Sequence, residues 1–239
     1  MDKSISLNQH KVIAAIPCYN EERFIGEVIL SARKYVDQVI VIDDGSTDGT
    51  SEAARAAGAS VIRHETKKGA GAATRSCFES AKFNNADILV TLDGDGQHNP
   101  AEISRIVKPI LDGEADLVIG SRFLDIHSKI PLYRKIGIVT INFLYNLGSK
   151  VKLSDTQSCF RAYGKKAIHS LNITDGGFGF SVELLIEARH KKFVITERPI
   201  VCLYNSTIHT QNPVRHGLGV ALAVVKFRLI YLFKPRGSN

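Results

Sequence analysis

Asp93 and Asp95 stand two residues apart where an apolar run, residues 87–92, comes to its end, and Gln97 follows two residues later. In extended backbone, residues i, i+2 and i+4 project to the same side. Three oxygen-bearing side chains therefore aim at one point, with Gly94 and Gly96 leaving space between them. Hard oxygen ligands with open coordination positions suit Mg²⁺ or Mn²⁺ carrying a diphosphate. A polar turn decorated with two acids is the plainer alternative, but a turn requires neither the Gln nor the His98 that comes after it.

Four other segments carry candidate chemistry. Asp43-Asp44-Gly45-Ser46 closes an all-aliphatic strand, and an acid there can accept from a ribose hydroxyl or a base N–H; Asp44 is the residue assigned to nucleotide, while Ser46, Thr47 and Asp48 read as turn and cap residues. The run GAGAAT, residues 69–74, imitates a dinucleotide fingerprint, yet that fingerprint belongs after the first strand. Here it follows the third, so the glycines let a helix start close to substrate phosphate or pack tightly on the sheet. Arg122 and Arg134 flank the polar segment 125–129, and arginine is suited to bidentate phosphate contact. Arg122 sits beside the acid motif, at a strand's carboxyl end; Arg134 is the weaker candidate. Asp155, in the segment DTQSCFRAY of residues 155–163, a polar loop running into an aromatic strand or turn, reads equally as a general base or as a structural loop acid.

The elements that must position these residues alternate. Strands are predicted at 12–16, 39–42, 59–63, 87–92 and 116–119. Helices are expected from Asn20 (as cap) through Ala32, from Thr50 to about Gly58, from Gly71 to Phe83, and from Asn99-Pro100 to about Asp112. Strict alternation implies an α/β fold, a mostly parallel central sheet with helices on both faces, whose sites lie at the carboxyl ends of the strands. The polar clusters at 17–21, 43–47, 93–97 and 121–122 all fall there. Further on, a helix over 131–150 with Ile136, Val139, Phe143 and Leu147 as its apolar positions is expected, then strands at 193–196 and 200–204. The economical reading is one domain, with residues 214–239 forming a C-terminal amphipathic helix and basic tail within it.

Composition narrows the class. The chain has 239 residues and a charge of +7, which suits acidic membrane or phosphorylated substrate, and its aromatic residues form no RNA-stacking motif, so no nucleic-acid partner is expected. Four scattered cysteines without a C-x-x-C pair imply free thiols in a reducing compartment and no structural zinc. Residues 1–11 lack the apolar core of a signal peptide. The nearest approach to a membrane span, 217–233, is interrupted by Lys226 and Arg228. The expected location is cytoplasmic, with peripheral contact at the cytosolic face of a membrane through the apolar, basic helices near 131–150 and 214–233; a core helix or an oligomer contact is the alternative for the tail.

With these residues in place the chain resembles a family 2 glycosyltransferase of GT-A fold, nearest to the dolichyl-phosphate mannosyltransferase-like group. The likeness rests on IPCYNEE (16–22), VIDDGSTDGT (41–50), GAGAATR (69–75), LDGDGQH (92–98), GSRF (120–123) and DTQSCFRAY (155–163), in the expected order over residues 11–165. It implies that Pro17, Tyr19, Glu21, Ile42 and Asp44 hold the nucleotide of a GDP- or UDP-sugar, with Gly94 beside the sugar. Asp93, Asp95 and Gln97 would take Mg²⁺ or Mn²⁺, and Arg122 with Arg134 would meet donor or acceptor phosphate. The catalytic set is then Asp95, Arg122 and Asp155, and the acceptor a polyprenyl or dolichyl phosphate. Transfer to a sugar hydroxyl with Asp155 as base, and a non-catalytic membrane-docking protein, are the alternatives. One departure from the group falls in the acceptor region: Asn205-Ser206-Thr207 stands where a basic stretch is common, with Arg215 and His216 later.

Overall fold

The computed structural model describes residues 10–124, 130–149, 151–203 and 213–233. Seven strands form one sheet in the order β3-β2-β1-β4-β6-β5-β7. They are β1 (Val12–Cys18), β2 (Gln38–Asp43), β3 (Ser60–Arg63), β4 (Ile88–Thr91), β5 (Leu117–Ser121), β6 (Arg161–Gly164) and β7 (Ile195–Pro199). All are parallel except β6, which runs backwards between β4 and β5. Central strands of such a sheet are covered on both faces, which is why β1, β2 and β4 read as unbroken aliphatic runs; Val12 to Ile16, Ile40 to Ile42 and Leu89 to Val90 are almost wholly buried.

Two apolar cores flank the sheet. One lies under α1 (Glu22–Ala32), α2 (Thr50–Ala56) and α4 (Ile103–Leu111) and takes Val12, Ala14, Ile16, Val41 and Val90 from the strands. The other takes the alternate residues, Ile13, Ala15, Ile40, Ile42 and Leu89, and packs them against α3 (Ala70–Phe83) and against α6 (Lys165–Ser170), α7 (Phe180–His190) and α8 (Pro213–Phe233). The same core reaches α5 (Leu132–Asn146) through Ile141 and Tyr145. Period-two alternation along each strand thus feeds both layers.

Three local expectations change. Asn20 does not cap α1: it sits at φ 57 and its side chain crosses to the Thr47 amide at 2.8 Å, stitching two loops together, while Glu21 stands at the cap position. Residues 200–204 are not a strand; Cys202 makes a single bridge to His98, and Tyr204 lies outside the described residues. In α5 the expected apolar positions Ile136, Val139, Phe143 and Leu147 all face outward, and Ile138, Ile141 and Tyr145 are the buried ones. Both sides of α5 are apolar, so periodicity alone had no means of choosing between them. β6 stands where the loop after Asp155 is expected to run into an aromatic strand or turn, while α6 and α7 have no counterpart in the predicted element order. Helix α7 is buried all round, including Glu183 and Glu187, and therefore shows no amphipathic period.

Candidate active site

The carboxyl edge of the sheet gathers the predicted residues by a simple consequence of topology. Strands β1, β2, β4 and β5 end there, delivering Pro17 to Glu21, Asp43-Asp44, Asp93 to Gln97 and Ser121-Arg122. Because β6 is antiparallel, its beginning rather than its end lies at that edge, and the loop carrying Asp155 to Ser158 arrives among them. Sequence spacing alone does not reveal that reversal.

Two loops form one wall. Asn20 N donates to Ser46 Oγ at 2.9 Å, Glu21 N to Thr50 Oγ1 at 2.8 Å, and Gly49 N to Glu22 Oε2 at 3.1 Å, so the segments after β1 and β2 interlock. Burial alone would push Asp43 up, but bonds from Ser46 and Ser51 and the nearby Arg63 outweigh it and hold the carboxyl below its usual range. Asp44, assigned to nucleotide, turns inward. Its carboxylate takes Lys68 N at 2.9 Å and Gly69 N at 2.8 Å, and pairs with His64 Nδ1 at 2.8 Å. His64 in turn reaches Ser76 Oγ through Nε2 at 3.0 Å. Asp44 is thus an anchor for the loop entering α3, and His64 is its partner, a residue the motif reading missed although it follows β3 directly. The anchored loop lays Lys67 Nζ 3.5 Å from the centre of the Tyr19 ring. Pro17 sits at the end of β1 in register with Ile42, whose side chain is buried beneath them.

At the glycine run the structure shows a close backbone approach. A Cβ on Gly71 would stand 1.9 Å from the Asp175 carbonyl oxygen, and one on Gly69 2.4 Å from that of Gly176. Gly71 N donates to Gly176 O at 3.0 Å. The start of α3 is closed by the 175–176 backbone, itself held by Glu183, which accepts from the amides of Thr174 and Asp175.

Asp93 and Asp95 face Glu21 across the edge. Burial, and then the charges of Asp95 and Asp93, push Glu21 up to about 7. Burial raises Asp93 to about 6 against the opposing charges of Arg122 and Arg161; its side chain keeps 39% exposure, so solvent moderates that rise. Burial and the neighbouring Asp93 raise Asp95. Three carboxylates that disfavour one another's ionisation make a site that a cation relieves. Gly94 lets this segment approach β1, since a Cβ there would meet Ile25 and Cys18 at 3.1 and 3.2 Å. Gln97 is tied to the acid pair: its amide nitrogen holds Asp95, its backbone N donates to Asp95 at 2.9 Å, and its Oε1 accepts from Cys202. His98 accepts the Asp93 amide through Nδ1 at 3.3 Å, and burial depresses its pKa to about 4, so the ring is neutral.

Arg122 and Asp155 form a bidentate pair, Nε to Oδ2 and Nη2 to Oδ1, both at 2.7 Å, with Arg122 N adding a third bond at 3.1 Å. Asp155 has no exposed surface. Of the two roles its sequence context leaves open, the geometry matches the structural one. Glu197 fixes the same loop by accepting from the Ser154 and Asp155 amides. Arg161, fully buried on β6, donates to the carbonyls of Thr156, Ser158 and Ser181 and so ties the loop from below. Arg134 lies in the first turn of α5. Residues 125–129 and 205–207 lie outside the described residues, as do the side chains of Arg215 and His216.

The donor chemistry fits Mg²⁺ or Mn²⁺, since the aspartate pair offers hard oxygens at the point of greatest negative charge. Among the described residues no three His, Cys, Asp or Glu side chains form a ready-made metal cage. Two carboxylates with positions left for other oxygens are what a metal shared with a diphosphate requires.

An open α/β sheet with nucleotide-type loops, an acid pair and a fixed arginine at its carboxyl edge defines a glycosyltransferase of GT-A fold. The chain belongs to glycosyl transferase family 2, whose profile matches residues 13–171. It is similar to the UDP-N-acetylglucosamine–dolichyl-phosphate N-acetylglucosaminyltransferase of Methanococcus voltae, 31% identical over 238 residues, 90% of this chain and 92% of that one. It is similar also to the undecaprenyl-phosphate mannosyltransferase of Micrococcus luteus, 30% identical over 203 residues, 80% and 82% of the two chains. Among solved structures, glucosyl-3-phosphoglycerate synthase from Mycobacterium tuberculosis, with Mn²⁺, uridine diphosphate and phosphoglyceric acid, matches with a TM-score of 0.72 at 24% identity, over 95% of this chain and 80% of that one. That likeness concerns the fold.

Proposed function

We propose that the chain transfers a hexose or N-acetylhexosamine from a GDP- or UDP-sugar to a polyprenyl or dolichyl phosphate, with inversion at the anomeric carbon. An acceptor phosphate oxygen bonds to the anomeric carbon as the bond to the donor's diphosphate breaks, the electron pair leaving with the nucleoside diphosphate. Asp93 and Asp95 would hold Mg²⁺ or Mn²⁺, which supplies neutralisation of the charge gathering on that leaving group. Gln97 and His98 keep the acid-bearing loop in place. Arg122 adds fixed positive charge, preorganised by Asp155 and Glu197 so that little reorganisation is needed as charge develops.

The observation that carries this reading over transfer to a hydroxyl is the commitment of Asp155. A hydroxyl acceptor needs a base to remove its proton as the new bond forms. Asp155 is enclosed and bound through both oxygens to Arg122, so it is poorly placed for that work. A phosphate acceptor is already ionised near neutral pH and needs no base, so the commitment of Asp155 to Arg122 is compatible with it. The polyprenyl- and dolichyl-phosphate transferases among the relatives, and the Mn²⁺ and uridine diphosphate held by a protein of the same fold, support the same reading. The intact acid pair speaks against a purely non-catalytic docking protein.

The test offers UDP- and GDP-sugars with Mn²⁺ to a short-chain polyprenyl phosphate and, separately, to free-hydroxyl glycans, with products read by mass spectrometry. Glycosyl phosphate is expected. Transfer confined to hydroxyl acceptors would reject the proposal.

A further inference from the structure

Lys67 stands over Tyr19 because its neighbours fix the backbone beneath it. Gly45 sits at φ 73, and a Cβ there would lie 2.7 Å from the Thr66 carbonyl carbon and 2.8 Å from Lys67 N, so residues 66 and 67 rest directly on the turn after β2. The next two amides, Lys68 N and Gly69 N, are held by the Asp44 carboxylate at 2.9 and 2.8 Å. With the chain pinned on both sides, the Lys67 ammonium is carried across to the Tyr19 ring, 3.5 Å from its centre, and joins the loop after β3 to the loop after β1. Among the described residues Lys67 forms no ion pair; the ring is the partner its ammonium has.

Position tells which part of a donor would meet this lysine. The strand order β3-β2-β1-β4 sets the acid pair, at the end of β4, two strand spacings or about 10 Å from the end of β2. A diphosphate held at Asp93 and Asp95, with its nucleoside directed to Pro17, Tyr19 and Ile42, therefore places the base where the loops after β1, β2 and β3 converge. The polar side chains there are committed to the loops themselves. Asp44 serves Lys68, Gly69 and His64, the Asn20 amide oxygen takes Thr47 N at 2.8 Å, and Asp48 takes Thr50 N at 3.1 Å and Glu22 N at 3.3 Å. The Lys67 ammonium, with three N–H donors and no acceptor, is bound to none of those carboxylates. Such a group distinguishes bases by their edges. Uracil O4 and guanine O6 are carbonyl acceptors, whereas cytosine and adenine carry an amino donor at the equivalent position. A donor set against a donor forms no bond and leaves both groups unpaired.

We propose that Lys67 is a specificity-determining residue for the donor: its ammonium, poised on the Tyr19 face, bonds the exocyclic carbonyl oxygen of a keto nucleobase, so that uridine or guanosine diphosphate is chosen over cytidine or adenosine diphosphate. The inference rests on the donor reading above and adds the residue that reads the base.

Isothermal titration in the presence of Mn²⁺ compares UDP with CDP and GDP with ADP, pairs matched in ring size, for the parent, Lys67→Met and Lys67→Arg. In the pair that binds more tightly, the parent is expected to favour the keto base by about tenfold, the lower end for a hydrogen bond to a charged group because Lys67 is exposed. Lys67→Met should erase that preference by weakening the keto diphosphate alone, while Lys67→Arg, which keeps N–H donors, should retain most of it. Melting by circular dichroism should match the parent in both variants. Equal weakening of all the diphosphates in Lys67→Met would mark a phosphate contact or a prop for Tyr19 and overturn the proposal, as would a preference that Lys67→Met leaves intact. Mn²⁺-dependent binding in the parent without any preference between bases would overturn the role of Lys67 and leave the donor reading standing. Absence of Mn²⁺-dependent binding for every diphosphate would overturn both.

Discussion

Replacing Asp155 by Asn tests whether this carboxylate acts on a substrate or on Arg122. The change keeps the volume but turns an amide toward the guanidinium and leaves Arg122, whose side chain is only 11% exposed, without its counter-charge. Breaking a buried pair by neutralising one partner costs about 3–5 kcal/mol. For a chain of this size about 2–4 °C is lost per kcal/mol, so the melting temperature should fall by about 6–20 °C. Arg122→Met should cost a comparable amount by stranding Asp155. The double variant Arg122→Met/Asp155→Leu should lose clearly less than the sum, because neither charge is then buried alone. Thermal unfolding by circular dichroism measures all three, and activity with polyprenyl phosphate should fall alongside stability. An Asp155→Asn protein that melts with the parent, yet loses transfer only to hydroxyl acceptors, would restore the base role and refute the reasoning.

Three further outcomes follow from the geometry. The raised carboxyls of Asp93 and Glu21 mean that their contribution to stability is whole below the unfolded pKa near 4 and is lost as pH climbs through about 6 and about 7; the metal-free protein should therefore melt lower at pH 7.5 than at pH 5, and Mn²⁺ should restore more at the higher pH, as calorimetry will show. Asp44→Ala removes the acceptor for the Lys68 and Gly69 amides and for His64; it should cost about 1–3 kcal/mol for each group left unsatisfied, with faster hydrogen exchange in residues 64–69. Gly71→Ala forces a methyl against the Asp175 carbonyl and should destabilise by about 3 kcal/mol or more, while nucleotide affinity, measured by titration below the melting temperature, stays near that of the parent.

The first half of the fold is legible in the sequence because its strands are aliphatic runs and its helices amphipathic, so each period names its element. The second half is not. β6 is four residues long and reversed, α7 is buried on every side, and α5 is apolar on both faces, so no periodic signal separates core from surface there. At the site, residue type located the right loops but could not divide labour within them. Asp44, Asp155 and Gln97 all look like ligands in a string of letters. The partners of the first two, His64 with two loop amides and Arg122, come from the folding together of distant segments, whereas Gln97 bonds to its near neighbour Asp95. His64 and Glu197 carry no motif at all and become visible only when β3 and β7 take their places in the sheet.

The central claim is that Asp93 and Asp95 bind a nucleoside diphosphate through a divalent cation at the carboxyl edge of the sheet. Isothermal titration of uridine and guanosine diphosphates into the protein, with Mn²⁺ and with chelator, and again with Asp95→Asn, tests it most directly. Binding that requires Mn²⁺ in the parent and disappears in Asp95→Asn is the predicted result. Equal affinity with chelator present, or undiminished Mn²⁺-dependent binding in Asp95→Asn, would contradict it.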